Sequence, residues 1–263
     1  MYLVPKRLFG AAILLAGLAQ GASAASVSIS IDTFGMTNLS GAQAAYATYL
    51  TGTRANVVED FESFTPWGGL VGTANPVETN AGTFKAVSAS NGGPGGSSVN
   101  GGSGLEVRAD NGVGNSSDGT LWGRQNSTDG GENWLDSNDL TSMVWTIDAS
   151  TGFGRFDSLA FMLGDVGDIK GTHFSIKVEA AGYSTTLASI PRQPNGNINF
   201  VRILFDDFVH GAKVTLTSNL NDGFGIDDVT VARVAPVPLP GAGLLLMGGL
   251  AGFGVFRRRR AAV

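Results

Sequence analysis

Short segments in which apolar and polar residues alternate constrain the fold of this chain more than any other feature of its sequence. In MVWTID, the residues Met143, Trp145 and Ile147 share one parity, and FSIKVE repeats the pattern from Phe174 onward. Such alternation is typical of a strand that buries one face, because successive side chains point to opposite sides of a sheet. Further strands are predicted around residue 215 and at residues 27–34, 56–62, 83–90, 104–108, 156–163, 183–189 and 198–205.

The number and spacing of these segments predict the fold class. About ten short strands, separated by turns rich in Gly, Asn and Asp, indicate an all-β fold. We expect a jelly-roll-like antiparallel β-sandwich with one short N-terminal helix. Ser40 and Gln43 have the spacing of a capping box, and good helix formers follow in AQAAYATYL. We expect this helix to pack Tyr46, with Leu50 or Tyr49, across one end of the sandwich.

Residues 1–24 have the parts of a secretory signal peptide. Lys6 and Arg7 precede the apolar residues 8–18, and Ala22-Ser23-Ala24 is a small-x-small cleavage site. As a helix rising about 1.5 Å per residue, the apolar run crosses only about half of a bilayer core of roughly 30 Å, which favours a cleaved signal. Signal peptidase is therefore an expected processing enzyme, and residues 25–232 form the predicted extracellular β-sandwich domain.

The charge of this domain limits its partners. All 22 acidic residues but only 10 of the 17 basic residues lie within residues 25–232, which gives a formal charge of −12. Such a surface repels phosphate backbones, so nucleic acid is excluded as a partner, whereas divalent cations are attracted. The chain has no cysteine and two histidines, which excludes disulfides, a cysteine nucleophile and a multi-histidine metal centre.

Residues 233–263 form a third segment with a distinct order of parts. A short proline motif comes first, made by Val237, Pro238, Leu239, Pro240 and Gly241. The uncharged residues 237–256 are long enough for a transmembrane helix. An arginine cluster ends the helix and, by the positive-inside rule, lies in the cytoplasm; it consists of Arg257, Arg258, Arg259 and Arg260.

This order of proline motif, apolar helix and arginine cluster resembles the PEP-CTERM sorting signal, in its VPLPA-type variant. Gly241 stands where that variant usually has alanine. The resemblance implies that an exosortase in the inner membrane of a Gram-negative bacterium recognises the chain and cleaves it near the proline motif. It also implies release to the cell surface or to the extracellular matrix of a bacterium that makes exopolysaccharide.

Two acidic stretches of the body, NVVEDFESF and NDGFGIDDVTVA, point to a cation site. In the second stretch, Ile226 and Val229 have opposite parity, so the apolar face changes across Asp227 and Asp228. A change of parity within one strand predicts a β-bulge. In the first stretch, Asp60 and Glu62 are expected to point the same way from a strand.

Together these stretches loosely resemble the first and last strands of jelly-roll carbohydrate-binding-like β-sandwiches, where such acids hold a structural calcium. The resemblance implies Glu62 and Asp228 as Ca²⁺ ligands, with Asp60 and Asp227 as alternates; solvated strand ends are the simpler interpretation. A second acidic set is explained either by turn chemistry or by metal binding; it contains Asp136, Asn138, Asp139, Asp165 and Asp168.

Three tryptophans lie near polar turns and are candidates for glycan binding. Trp67, Trp122 and Trp134 each have polar or glycine neighbours, whereas Trp145 belongs to a core-facing parity. An exposed indole stacks on the apolar face of a sugar, although burial under a loop edge is the simpler interpretation for each of the three.

These features predict an exported, exosortase-processed surface or matrix protein with a non-catalytic structural or adhesive role in the exopolysaccharide layer. The alternative is a calcium-supported carbohydrate-binding module. A polysaccharide hydrolase is disfavoured, because the sequence has no nucleophile elbow, H-E-x-x-H motif or phosphate loop. The sequence does not show the two converging carboxylates that glycoside hydrolysis needs.

Overall fold

Two antiparallel sheets face each other and confirm the predicted β-sandwich. The computed structural model describes residues 25–66, 76–88, 105–109, 120–137, 140–148, 152–220 and 222–235. The seven-stranded sheet has the order β1-β11-β8-β13-β6-β5, with β2 also paired to β13. Its strands are β1 (Val27–Phe34), β2 (Thr53–Glu59), β5 (Glu106–Ala109), β6 (Asn133–Asp136), β8 (Phe156–Gly164), β11 (Ile198–Val209) and β13 (Gly225–Val234).

The second sheet has six strands in the order β10-β9-β12-β7-β4-β3. Its strands are β3 (Val77–Thr79), β4 (Gly82–Ser88), β7 (Ser142–Ile147), β9 (Phe174–Ala180), β10 (Thr186–Ile190) and β12 (Ala212–Ser218). From β7 onward the chain crosses repeatedly between the two sheets, as the jelly-roll-like prediction requires. The sequence pattern located most of these strands to within a few residues.

Apolar side chains from both inner faces form one core between the sheets. The Trp145 indole is fully buried and stacks on Phe84 with ring centroids 5.7 Å apart, and it meets Phe161 edge-on at 6.0 Å. Its Nε1 donates a hydrogen bond to the Ala81 carbonyl at 2.9 Å, so the buried polar atom of the ring is satisfied. The prediction that Trp145 belongs to the core is confirmed.

The α-helix α1 (Leu39–Thr51) follows a short 3₁₀ helix at Met36–Asn38 and packs on the outer face of the seven-stranded sheet. Tyr46 is buried and meets Phe200 of β11 edge-on at 5.9 Å. Two expectations for α1 were therefore wrong. The helix covers a face of the sandwich and not one end, because the outward side of β8 and β11 is apolar. The capping box does not form: Asn38 is the N-cap, and Gln43 donates its amide to the Ser127 carbonyl at 3.0 Å.

The predicted bulge in β13 is present and marks a change of strand neighbour. The pairing of β13 with β8 shifts register between Asp227 and Thr230, and Asp228 has a left-handed backbone with φ of 49°. Before the bulge β13 pairs with β6, and after it β13 pairs with β2. One extra residue thus returns the apolar side chains to the core and aims both aspartates at the 120–131 loop.

The strand predicted at residues 56–62 ends earlier than expected. β2 ends at Glu59, and Phe61 adopts φ of 58° with its ring fully buried. The Glu59 carboxylate accepts a hydrogen bond from the Phe61 amide at 2.9 Å, which closes the turn. Asp60 and Glu62 therefore lie in this turn, and the expectation that they point the same way from one strand was wrong.

The last strand extends to Val234, two residues beyond the predicted boundary at residue 232. The Ala235 amide then donates to the Gly52 carbonyl at 2.9 Å. The signal peptide, the proline motif, the apolar stretch and the arginine cluster all lie outside the described residues. Within the described ranges, no helix has the length and apolar character needed to cross a membrane.

Candidate functional site

The loop at residues 120–131 joins two groups of acidic residues on the seven-stranded sheet. In the described part of the chain, four non-glycine residues have positive φ, and all of them lie at these two groups: Phe61, Trp122, Asp165 and Asp228. Left-handed backbone is unfavourable for such residues and persists only where the surrounding structure imposes it. This concentration of strain marks the region as the candidate site.

Trp122 occupies the tip of a two-residue turn at the first end of this loop. The amide and carbonyl of Leu121 exchange hydrogen bonds with those of Arg124 at 2.9 and 3.1 Å. Trp122 and Gly123 have φ of 57° and 97°, which is the geometry of a type I′ turn. Asn-Gly is the preferred sequence for this turn, whereas a bulky residue at its first position costs about 1–2 kcal/mol. The Trp122 side chain is nevertheless 43% exposed.

Three aspartates lie beside this turn. Asp165 and Asp222 are buried, and Asp168 is half-buried. Burial, opposed by a hydrogen bond from the Gly196 amide, raises the pKa of Asp165 to about 7. Burial also raises the pKa of Asp222 to about 8, and contact with the Asp168 carboxylate adds to this increase. We name these two contacting residues the Asp168–Asp222 pair.

Asn195 connects the Trp122 turn to the Asp168–Asp222 pair. With the amide oriented so that its nitrogen faces acceptors, this nitrogen donates to the Trp122 carbonyl at 3.2 Å and to Asp168 Oδ2 at 3.1 Å. Gly123 permits the close approach, because a Cβ at that position would meet Asp165 Oδ1 at 2.5 Å. The Trp122 turn, the exposed Asn195 amide and the half-buried Asp168 therefore lie together.

The bulge in β13 forms the second group, which we name the Asp227–Asp228 pair. Asp227 Oδ2 accepts hydrogen bonds from the amides of Ser127 and Thr128 at 2.7 and 3.2 Å, and the Ser127 hydroxyl oxygen lies 3.0 Å from it. The carboxylate of Asp228 accepts from the Ser127 and Thr128 hydroxyls at 2.8 and 2.9 Å. Burial and the neighbouring Asp228 charge hold the pKa of Asp227 well above its usual range.

Asp60 and Glu62 lie near the Asp227–Asp228 pair, and their charges help to raise the pKa of Asp228. Glu62 Oε1 accepts hydrogen bonds from the amides of Glu132 and Asn133, both at 2.7 Å, and Asp60 Oδ1 accepts from the Glu62 amide at 3.1 Å. The structure thus brings all four predicted calcium ligands into one region, where each carboxylate also has protein donors. Calcium at these residues stays a prediction.

A cleft of about 540 Å³ separates α1 from the Asp227–Asp228 pair. Polar groups from the strands and the loop line one wall, and small or apolar side chains of α1 line the other. The lining includes Gln43, Tyr46, Asp60, Thr128, Asp129 and Asp228. The Tyr46 hydroxyl shares a hydrogen bond of 2.8 Å with Thr230, which fixes the floor of the cleft.

The remaining predicted site residues are separated from this surface. Trp134 is 1% exposed, and a Cβ on Gly225 of the adjacent strand would lie 2.9 Å from its ring. Its indole is closed off from solvent, so Trp134 is removed from the glycan-binding candidates. Asp136 is buried and pairs with Arg108 at 2.7 Å, which gives it a structural role. Trp67, Asn138 and Asp139 lie outside the described residues.

Sequence reasoning missed Asp222, Ser127 and Thr128 as site residues. Asp222 belongs to an N-D-G stretch, which is a common turn signal and gave no reason to assign it a second role. Ser127 and Thr128 contact residues 100 positions away, and no local pattern in QNSTDG indicates such a contact.

No protein-family model matches the chain, and no curated protein matches it. Among solved structures, it is similar to the carbohydrate-binding module TmCBM61, solved in complex with β-1,4-galactotriose, at 15% identity over 49% of this chain and 81% of that chain, with a TM-score of 0.30. It is also similar to the C-terminal family 22 carbohydrate-binding module of Clostridium thermocellum Xyn10B, at 14% identity over 41% and 77% of the two chains, with a TM-score of 0.27.

A third similarity is to CBM35 from Cellvibrio japonicus Abf62, at 12% identity over 70% of this chain and all of that chain (100%), with a TM-score of 0.28. These likenesses are remote. The chemistry of the site therefore follows from the residues of this chain.

Proposed function

We propose that this protein is an exported surface or matrix protein whose sandwich adheres to polysaccharide, without catalysis, through the Trp122 turn. One observation carries the proposal: an exposed tryptophan occupies a rigid type I′ turn position that favours asparagine on conformational grounds. A side chain kept exposed against the local preference of the backbone is best explained by a contact made with a ligand.

The chemistry of this surface favours sugars. The indole face stacks on the C–H face of a pyranose ring, and its turn is already ordered before binding. The Asn195 amide and the half-buried Asp168 are hydrogen-bonding groups beside the turn that carries the indole. The formal charge of −12 on residues 25–232 disfavours polyanions, so neutral sugar units are the expected partners.

The same surface argues against hydrolysis. A general acid for glycosidic cleavage needs a raised pKa, which both Asp165 and Asp222 have. However, these carboxyl groups are only 4% and 5% exposed, so a sugar chain stacked on Trp122 does not reach them. Their raised pKa values are a consequence of burial within the sandwich.

Export and processing form the second part of the proposal, and the sequence supports them. The signal-like residues 1–24, the motif at residues 237–241 and the arginine cluster are in the order that export followed by exosortase cleavage requires. Replacing both Pro238 and Pro240 with alanine is expected to leave the chain in the inner-membrane fraction, whereas the unchanged chain reaches the surface or the medium. Equal release of both chains would contradict processing at this motif.

Adhesion is tested by cosedimentation of the full chain, purified in mild detergent, with the exopolysaccharide of the producing cells. Trp122→Asn keeps the turn and removes the indole, so we expect binding to weaken roughly tenfold or more, as for other aromatic anchors. Leu187→Asn is the matched control, because Leu187 is also exposed, at 64%, but lies on the edge strand β10.

Equal binding by Trp122→Asn and the unchanged chain would overturn adhesion at this turn. Repeating the experiment in calcium and in chelator tests whether adhesion also needs the metal.

A further inference from the structure

Three buried side-chain oxygens beside the Trp122 turn lack a well-formed hydrogen bond. They are Oδ1 of Asp168, Oγ1 of Thr172 and Oδ2 of Asp222. Thr172 is 1% exposed and Asp222 is 5% exposed, so solvent does not satisfy these atoms. Buried polar atoms in folded proteins nearly always have a partner, and an exception calls for an explanation at that site.

The three oxygens belong to side chains that are in contact. The Asp168 carboxylate is within hydrogen-bonding reach of the Asp222 carboxylate, and the Thr172 hydroxyl lies against the same group. Asp165 adds a third negative charge nearby. In the described part of the chain, neither Asp168 nor Asp222 forms an ion pair with lysine or arginine. Two carboxylates that touch in a buried place require a positive charge or a proton between them.

The backbone around these side chains is held in place independently of any ligand. Asn197 Nδ2 donates to the Val166 carbonyl at 2.9 Å, and Asn219 Nδ2 donates to the Gly171 carbonyl at 3.1 Å. These bonds fasten both ends of the loop that carries Asp168 and Thr172. Asp222 comes from a different segment, immediately before β13, so the arrangement depends on the completed fold.

We propose that Asp168, Thr172 and Asp222 bind a divalent cation of the calcium class. The three side chains offer only oxygen atoms, which are the ligands that hard cations prefer. Zinc and copper sites seldom consist of oxygen ligands alone. A cation shared by the two carboxylates removes their repulsion and also attracts the oxygen of the Thr172 hydroxyl, which lies against Asp222. The site uses two carboxylates and a hydroxyl, and it is consistent with the finding that no three His, Cys, Asp or Glu side chains in the described ranges form a metal-binding group.

The small number of protein ligands sets the expected affinity. Calcium takes about six to eight oxygen ligands, so water must complete the shell, and a dissociation constant of about 10⁻⁴–10⁻³ M is expected. An affinity in this range responds to extracellular calcium. This inference does not rest on polysaccharide binding, because it concerns the carboxylates beneath the turn and not the indole.

The connection through Asn195 provides a direct probe of the site. Terbium substitutes for calcium at oxygen-rich sites and emits light when a nearby indole is excited. Asp168 shares the Asn195 amide with the Trp122 carbonyl, which places the proposed site close to this ring. The experiment is therefore a titration of the full chain with terbium, followed by competition with calcium, in the absence of polysaccharide.

We expect sensitised terbium emission that calcium displaces at sub-millimolar to millimolar concentration. Asp222→Asn should abolish it, and Asp207→Asn, at an exposed acid of β11 away from both aspartate pairs, should leave it unchanged. Thr172→Val keeps the shape of the side chain and removes only the hydroxyl, so it should weaken affinity roughly tenfold without unfolding the protein. Near-ultraviolet circular dichroism verifies that each variant is folded.

Two results would overturn the inference. The first is the absence of emission that calcium displaces, which means that Asp168 and Asp222 share a proton instead. The second is emission that survives in Asp222→Asn and disappears in Asp228→Asn, which places the cation at the bulge. Neither result bears on adhesion, and normal adhesion with no cation binding would refute this inference alone.

Discussion

The Asp227–Asp228 pair and the Asp168–Asp222 pair each bring two carboxylates together, but the two pairs differ in the hydrogen-bond donors around them. In both, two negatively charged carboxyl groups lie close to each other, and at least one of them is buried. At the bulge, the amides and hydroxyls of Ser127 and Thr128 donate to the carboxylates. At the second pair, one oxygen of each aspartate has no hydrogen-bond donor.

This difference separates structural acids from acids that are available to a ligand. Donors from the chain itself make the bulge pair part of the sandwich, since they join the 120–131 loop to the middle of β13. At the Asp168–Asp222 pair, the oxygens without donors can be stabilised only by protons or cations from the solution. The two pairs should therefore respond in opposite ways to the same kind of mutation.

The largest effect is expected for Asp227→Ala. This change removes the acceptor for three backbone amides, those of Ser127, Thr128 and Asp228, so it should lower the free energy of unfolding by about 3–5 kcal/mol. Urea denaturation measures this loss. Asp129→Ala is the control, because Asp129 is an exposed acid of the same loop and should change stability little. Equal stability of the two variants would show that the bulge pair has no structural role.

The next effect is expected for Ser127→Ala, which removes only the donor. Its hydroxyl lies 3.0 and 2.8 Å from the two aspartates, and loss of the charge-assisted bond that it donates should cost about 2–3 kcal/mol. Ser189→Ala on β10 exposes no buried group and is the matched control. If Ser127→Ala lowered the free energy of unfolding by less than Ser189→Ala does, the hydrogen bonds of Ser127 would not stabilise the bulge.

The free energy of unfolding should depend on pH through Asp165 and through the Asp168–Asp222 pair. Asp165 and Asp222 have folded-state pKa values of about 7 and about 8, above the unfolded value. Their contribution is therefore complete below about pH 4 and is lost as the pH rises through 7 and 8. In chelator, the free energy of unfolding should fall from pH 5 to pH 8 by about 2 kcal/mol or more.

Calcium should restore the part of this loss that belongs to Asp222 and leave the part that belongs to Asp165. Thermal unfolding at both pH values, with calcium or with chelator, measures the effect. The same decline with and without calcium would show that calcium does not bind at the Asp168–Asp222 pair.

The smallest effect, and the only gain, is expected for Asp222→Asn in chelator. The new amide donates to the unsatisfied oxygen of Asp168 and one of two repelling charges is removed, so stability at pH 8 should rise by about 1 kcal/mol. Asp227→Asn is the comparison variant and should lower stability under the same conditions. A loss in both variants would mean that the two pairs have the same structural role.

The sequence predicted the fold and the bulge well because both depend on local alternation. The opposite parity of Ile226 and Val229 was sufficient to place an extra residue between them, since both side chains must reach the same core. The early end of β2 was not predicted, because Phe61 needs a left-handed backbone that no residue type there signals.

The candidate site was predicted only in part. Trp122 and Asp168 were visible as residue types in polar turns, and the structure brings them together through Asn195. Trp134 occupies a similar polar stretch but is buried by Gly225, a contact between strands 91 positions apart in sequence. Whether a tryptophan is exposed depends on such distant contacts, and the local sequence around each ring does not contain them.

The position of β13 determines the order in which this protein can assemble. Although β13 is the last strand in the chain, it lies inside the seven-stranded sheet, where it pairs with β8, β6 and β2, and β2 pairs only with it among the described strands. On the proposed export route, a chain that leaves N-terminus first exposes these unpaired edges until residues 225–234 emerge. The proline motif follows within three residues of Val234. On that route, completion of folding and arrival of the predicted sorting segment at the membrane are nearly simultaneous events.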